Sequence, residues 1–248
     1  MSASGTDTLV FEDINRRVQQ YLQNPFLEKC EIAPQASRFH FDVGSAVLSA
    51  AGVSGRVAEN VLAAVLLLQE GLSIHDRIDQ QSGRRRQLYV LTGDFSSSRY
   101  YSILARLAEG PLLYRLCDGV VRINEAKMQV LELPLDASAE AQINLYTTVE
   151  GELLYALSDH YLKAGDLWRS QVESLVRAYV VKEVPSLAQM NSLSSRQRYA
   201  WFKDTLDRLL KLEKNSTLAP ISKLFVDYFQ SIQHNFDSYA TLAERRNS

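Results

Sequence analysis

Apolar residues recur at steps of three and four along nearly the whole chain and almost nowhere alternate with period two, which is the signature of helices with a buried face. Pro25, Pro34, Pro111, Pro134, Pro185 and Pro220 cut this pattern into long tracts. Between Asp136 and Lys163 the residues Ile143, Leu145, Tyr146, Val149, Leu153, Leu154, Leu157 and Leu162 predict one helix, with Asp136 as its cap and Gly165 as its stop. Comparable spacing predicts helices over Val10–Gln23, Phe41–Ala50, Arg56–Gln80, Ser97–Ala108, Leu112–Leu131, Leu167–Gln189, Ser195–Leu212 and Ala219–Phe236. The strand-like run Leu88–Leu91 is short and flanked by helical patterns, so it reads as helix or turn. Residues Val57–Ile74 are apolar on more than one face, as in a helix at the centre of a bundle. The expected fold is all-α, a single bundle of about eight to ten helices over residues 10–248 behind a flexible tail, residues 1–9.

Composition narrows the classes. With 27 basic and 29 acidic side chains in 248 residues, the net charge of -2 leaves no electrostatic footprint for nucleic acid. Cys30 and Cys117 fit no metal spacing, so they read as thiols of a reducing compartment, with a cytoplasmic address by default. The start of the chain lacks the basic and apolar segments of a secretory signal, and the apolar run Val61–Leu68 is too short to span a bilayer. No transmembrane segment is expected.

Candidate chemistry gathers between Leu67 and Phe95. Asp76 and Asp79 stand three apart at the expected end of a buried helix, on one face, and Arg84-Arg85-Arg86 follow five residues later. Carboxylates can bridge magnesium to phosphate oxygens, and guanidinium forks bind those oxygens directly, so the cluster suggests a diphosphate site. An ordinary helix end with solvated charges is the competing account. His40, His160 and His234 have no metal-spaced partner, and Ser96–Ser98 lack a neighbouring histidine and read as a helix start.

The stretch resembles the trans-polyprenyl diphosphate synthases of the isoprenoid synthase fold. Their first aspartate-rich motif, DDxxD, is closely preceded by Leu-Ile-His, followed by an Arg-Arg pair and then by a Gly-Asp step. Here His75-Asp76-Arg77-Ile78-Asp79 occupies the DDxxD frame with His75 in place of the first carboxylate, Arg84-Arg85 follow, and Gly93-Asp94-Phe95 matches the Gly-Asp step. Imidazole is a poor ligand for a cation that prefers oxygen, so this change weakens a magnesium cluster. The Lys-Thr pair of those synthases is replaced by Glu150-Gly151, and no aspartate occurs from Leu167 to Lys203, where their second motif belongs; Glu173 and Glu183 are ten apart.

Fold kept and chemistry removed is the pattern of the small, non-catalytic subunits of bacterial heterodimeric heptaprenyl diphosphate synthases. The tract Gly83–Ala105, with Arg-Gln-Leu-Tyr-Val-Leu-Thr-Gly-Asp and Tyr100-Tyr101, is similar to theirs, and the resemblance covers about Ala36–Phe236. It implies a heterodimer with a catalytic large subunit that carries both aspartate motifs and the magnesium, and a product used as the menaquinone side chain. For this chain it implies no catalytic residue, no metal site and no cofactor of its own. His75, Asp76, Asp79, Arg84 and Arg85 remain as a remnant diphosphate-binding site, with a possible contact to the prenyl tail along Val57–Ile74. The alternatives are a divergent stand-alone class I prenyl or terpene synthase, with Asp76, Asp79 and glutamates such as Glu173 or Glu183 as magnesium ligands, and a helical adaptor unrelated to isoprenoids.

Overall fold

The computed structural model describes residues 9–25, 27, 35–134, 137–162, 166–183 and 224, and among them only helices and their connections occur. In chain order these are α1 (Phe11–Leu22), α2 (Arg38–Ala50), α3 (Gly55–Asp76), a 3-10 turn (Ile78–Gln80), α4 (Gly83–Arg106), α5 (Gly110–Glu132), α6 (Ala139–Tyr161) and α7 (Asp166–Glu183). The expected helices over Ser195–Leu212 and Ala219–Phe236 lie outside the described residues apart from Leu224, which is helical. The described chain falls into two compact units divided between Arg115 and Leu116.

In the first unit α3 is the axis. Every residue from Val61 to Leu72 is buried, and α1, α2 and α4 pack around it. This helix is long and apolar enough to cross a membrane by length and composition, but 72% of its most apolar window is buried within the fold, as in a core helix. The local chemistry of its neighbours is conventional. Ser37 caps α2, its Oγ accepting from the His40 backbone N–H and lying 2.8 Å from His40 Nδ1, so the buried His40 serves the helix start. At the other end of α2 the Val53 N–H donates to the Leu48 carbonyl around Gly52, whose φ of 72° suits a residue without a Cβ. The same closure ends α4, where Glu109 N–H reaches Leu104, with Ala108 at a φ of 56° in the left-handed position.

The α4 helix begins fourteen residues before the predicted Ser97 start and absorbs the strand-like run Leu88–Leu91. Its buried side is Leu88, Thr92, Gly93, Ser96, Tyr100, Ile103 and Leu104, mostly small or polar in its first half. That side sits tightly on α3. A Cβ on Gly71 would lie 2.6 Å from Ser97 Oγ and 3.0 Å from the Gly93 carbonyl, and Ser96 Oγ donates to the Leu67 carbonyl at 2.8 Å. Ser96–Ser98 are therefore mid-helix residues and not a helix start, Ser96 and Ser97 packing against α3 and Ser98 exposed.

In the second unit α6 packs on α7. The α6 cap is Ser138, whose Oγ accepts from the Ala141 N–H at 3.2 Å, two residues beyond the expected Asp136. Asp136 and Gly165 themselves lie outside the described residues. Ile143, Leu153, Leu154 and Leu157 are fully buried, as their spacing predicted.

Candidate functional site

The end of α3 carries the sequence-predicted residues, but it does not gather them. The helix stops at Asp76 with Arg77 as its cap, and Asp79 belongs to the 3-10 turn beyond it. The expectation that Asp76 and Asp79 project from one face of one helix is thus corrected, because the backbone turns between them. Both are exposed; the Asp79 side chain is 95% accessible and lies 3.6 Å from Arg86, an ion pair of little energetic weight in water.

His75 points the other way, onto α4. Its Nε2 is 3.2 Å from Asp94 Oδ1, and its ring lies on Gly93, where an added Cβ would be 2.6 Å from Nε2. The Gly-Asp step is thereby explained by packing: Gly93 leaves room for the imidazole, and the next residue takes its nitrogen. Arg77 turns back along α3, its Nε donating to the Ser73 carbonyl and one terminal nitrogen to Glu70 Oε1 at 3.0 Å. Glu70 is buried, and that burial raises its carboxyl above the usual range, while the Arg77 charge and the Gln35 backbone N–H work against the rise. This pair was missed in the sequence, where the signal was a lone acid in the run Leu66-Leu67-Leu68-Gln69-Glu70, since a buried charge requires a partner.

The arginine cluster opens α4. Arg84, Arg85 and Arg86 are all exposed; Arg85 Nε donates to Gln81 Oε1 at 3.0 Å, and its guanidinium lies 5.8 Å from the Tyr89 ring. The family's fold implies magnesium, and the donor set here does not fit it. One of three positions is an imidazole engaged by Asp94, and the two carboxylates stand on different elements. Among the described residues no three His, Cys, Asp or Glu side chains converge on a common point.

The second unit holds its own polar centre. Glu152, with its side chain 7% exposed, accepts from Arg122 Nε at 2.7 Å and lies 4.0 Å from Arg169. Arg122 also pairs with Asp118, and Arg169 with Asp159 at 2.6 Å. One helical turn before Tyr155, Gly151 leaves space for the phenol ring, onto which any Cβ at 151 would fall. The Tyr155 hydroxyl is buried without a hydrogen-bond partner; burial first, then the Glu173 and Glu152 charges, push its ionisation upward, against the Arg169 guanidinium 4.9 Å from the ring. Where the resemblance would place a phosphate-binding Lys-Thr pair, α6 has an acid and a glycine that serves its own aromatic packing. Glu173 is exposed on α7, and Glu183 is the last residue of that helix.

Known proteins share both the sequence pattern and the fold of this chain. Residues 24–198 match the family described as heptaprenyl diphosphate synthase (HEPPP synthase) subunit 1. Heptaprenyl diphosphate synthase component 1 from Geobacillus stearothermophilus is 35% identical over 115 residues, which are 46% of this chain and 52% of that protein. The chain thus matches about half the length of that relative. Among solved structures, an isoprenoid synthase family member from Thermotoga neapolitana superposes with a TM-score of 0.71 at 16% identity, covering 88% of this chain and 98% of the other. A geranyltranstransferase from Thermotoga maritima gives 0.73 at 13% identity, covering 90% and 97%. These two show the fold, and the match over residues 24–198 shows the lineage: the chain belongs to the heptaprenyl diphosphate synthase subunit 1 family.

Proposed function

We propose that this chain is the non-catalytic, regulatory subunit of a cytoplasmic heterodimeric long-chain polyprenyl diphosphate synthase whose product becomes the menaquinone side chain. The observation that carries this reading is the end of α3, where His75, standing in the first carboxylate position, is turned onto Asp94, and the two remaining carboxylates, Asp76 and Asp79, are exposed on different elements. A helix end built this way holds α3 on α4 and does not present a carboxylate wall to a metal-bound diphosphate. Magnesium and the ionisation of the allylic diphosphate then belong to the catalytic partner, where metal ions supply several kcal/mol of charge stabilisation. His75, Asp76, Asp79, Arg84 and Arg85 keep, at most, a diphosphate contact within the complex, and α3 a contact with the growing tail.

A second feature supports the partnership. Tyr114, Cys117, Val121, Asn124, Met128 and Leu131 follow the alternating three-four step of a coiled-coil seam along α5. Tyr114, Val121, Met128 and Leu131 are 74%, 54%, 57% and 86% exposed, while Leu112, Leu116, Ile123 and Ala126 fill the buried side of the same helix. Glu125 and Glu132 stand exposed beside the seam, in register with Asp118, which pairs with Arg122, and suit a partner helix flanked by lysine or arginine.

The test is reconstitution. The purified chain, given magnesium, farnesyl diphosphate and isopentenyl diphosphate, forms no elongated product, and activity appears when the catalytic subunit is added. Elongation by the chain alone, proportional to its concentration and lost in Asp76→Ala, would overturn the proposal in favour of a stand-alone class I synthase.

A further inference from the structure

A cavity of about 230 Å³ opens in the first unit between α1, the start of α3 and the last turns of α4, lined by Tyr21, Asn60, Arg99, Ser102 and Arg106 among others. Asn60 and His75 are fifteen residues apart on α3, roughly 22 Å at 1.5 Å per residue, so the cavity lies at the opposite end of the α3–α4 pair from the residues already described. Its lining contains no carboxylate. The nearest acid in sequence, Glu59, is occupied by Arg17 at 2.5 Å, and the Asn60 carbonyl accepts from Arg17 at 2.9 Å and from the Tyr21 hydroxyl at 3.4 Å. That leaves the Asn60 amide, the Ser102 hydroxyl and two guanidiniums to face the space, a surplus of donors and of positive charge.

Neither arginine is neutralised by a described residue. Arg99 lies with its guanidinium 4.6 Å from the Phe95 ring, and its Nε is buried with no hydrogen-bond partner. With that nitrogen packed away from solvent, the cavity meets the terminal nitrogens of the Arg99 guanidinium, whose charge no described carboxylate balances. Arg106, in the last turn of α4, is favoured there by the helix dipole, and its guanidinium is exposed without a described carboxylate partner. The two are seven residues apart on one helix, two turns and roughly 10 Å, with Ser102 between them. A single phosphate placed on one fork leaves the other unmatched, whereas two linked phosphates present oxygens and charge to both.

We propose that this cavity binds a diphosphate group, clamped between Arg99 and Arg106 and oriented by Asn60 and Ser102. The site is independent of the assembly reading and of the Arg84–Arg86 cluster. The test is calorimetric titration of the full chain, without divalent cations, using sodium diphosphate, sodium phosphate and ADP in turn. Saturable binding of diphosphate is expected, at least tenfold weaker for phosphate, and at least tenfold weaker in Arg106→Ala and in Arg99→Met/Arg106→Ala. Arg106 is exposed, so its single variant keeps the fold, and a melting curve verifies this. Binding of ADP as well identifies the head of an organic diphosphate as the ligand, and its exclusion identifies free diphosphate. No saturable binding, equal affinity for phosphate, or binding retained in the Arg99 and Arg106 variants overturns the proposal. So does a comparable loss in Arg84→Ala/Arg85→Ala, which would place the anion at the other end of α4.

Discussion

Gly93 and His75 form one packing unit, because the imidazole occupies the space in which a Cβ at position 93 would stand. Gly93→Ala should therefore destabilise the chain by about 1–3 kcal/mol through overpacking. Placed in a His75→Ala background the same change should cost much less, a coupling above about 0.5 kcal/mol by urea denaturation. Equal costs in the two backgrounds would show that the ring is not what the new methyl meets. Glu70 offers a pH signature. Its carboxyl is raised in the folded chain by burial, so just above the ordinary value of 4.5 the folded state holds more protons than the unfolded one. Stability contributed by this group consequently falls as pH rises through that window and is recovered on acidification. Asp42 is raised for the same reason and adds to the slope, so the informative quantity is the difference between wild type and Glu70→Gln. That variant should show a shallower loss of stability on going upward from pH 4.5, and identical slopes would remove Glu70 as the source. Neither pairing was visible in the sequence, which marks residues as polar but not which way they face.

At the scale of elements, α3 was legible and half of α4 was not. An unbroken apolar run declares a core helix, whereas the first half of α4 shows only exposed Arg84–Gln87 and then a stripe of Leu88, Thr92 and Ser96. Close approach to α3 rests there on small residues, and hydrophobic periodicity is silent where packing depends on the absence of side chains. The same closeness governs α3 itself. Ala63 and Ala64 are fully buried, so Ala64→Phe should cost about 1–3 kcal/mol. For a chain of this size each kcal/mol lowers Tm by about 2–4 °C. If α3 also supplies a wall for the prenyl tail, the reconstituted complex carrying Ala64→Phe makes a shorter product and still completes its first condensation. Unchanged product length with a lowered Tm would reject that role and leave the alanine a packing residue.

For the whole molecule the proposed partnership turns on α5, which carries apolar residues on two faces. One is buried within the chain, and the other displays Tyr114, Val121, Met128 and Leu131. Because exposed substitutions usually change stability by no more than about 0.5 kcal/mol, Val121→Asp/Met128→Asp should melt like the wild type. Its affinity for the catalytic subunit should nevertheless fall at least tenfold, about 1.4 kcal/mol, by sedimentation or surface-binding measurements. Wild-type affinity in that variant would move the interface elsewhere.

The amino-acid sequence by itself determined the helical class, the central place of α3 and the family frame around His75, because burial period and motif spacing are one-dimensional properties. It also held two departures from the synthase pattern it resembles, His75 in a carboxylate position and Glu150-Gly151 where that pattern places a Lys-Thr pair. Only the tertiary structure decided what those residues do instead. Whether Asp76 and Asp79 share a face depends on where the backbone turns, and whether His75 meets a ligand or Asp94 depends on an α3–α4 contact made by residues nearly twenty apart. The cavity of Arg99 and Arg106 is likewise invisible along the chain, since Tyr21, Asn60 and the two arginines converge only when three helices pack. Charge count along a sequence records how many cations exist; packing alone determines which of them are left facing empty space.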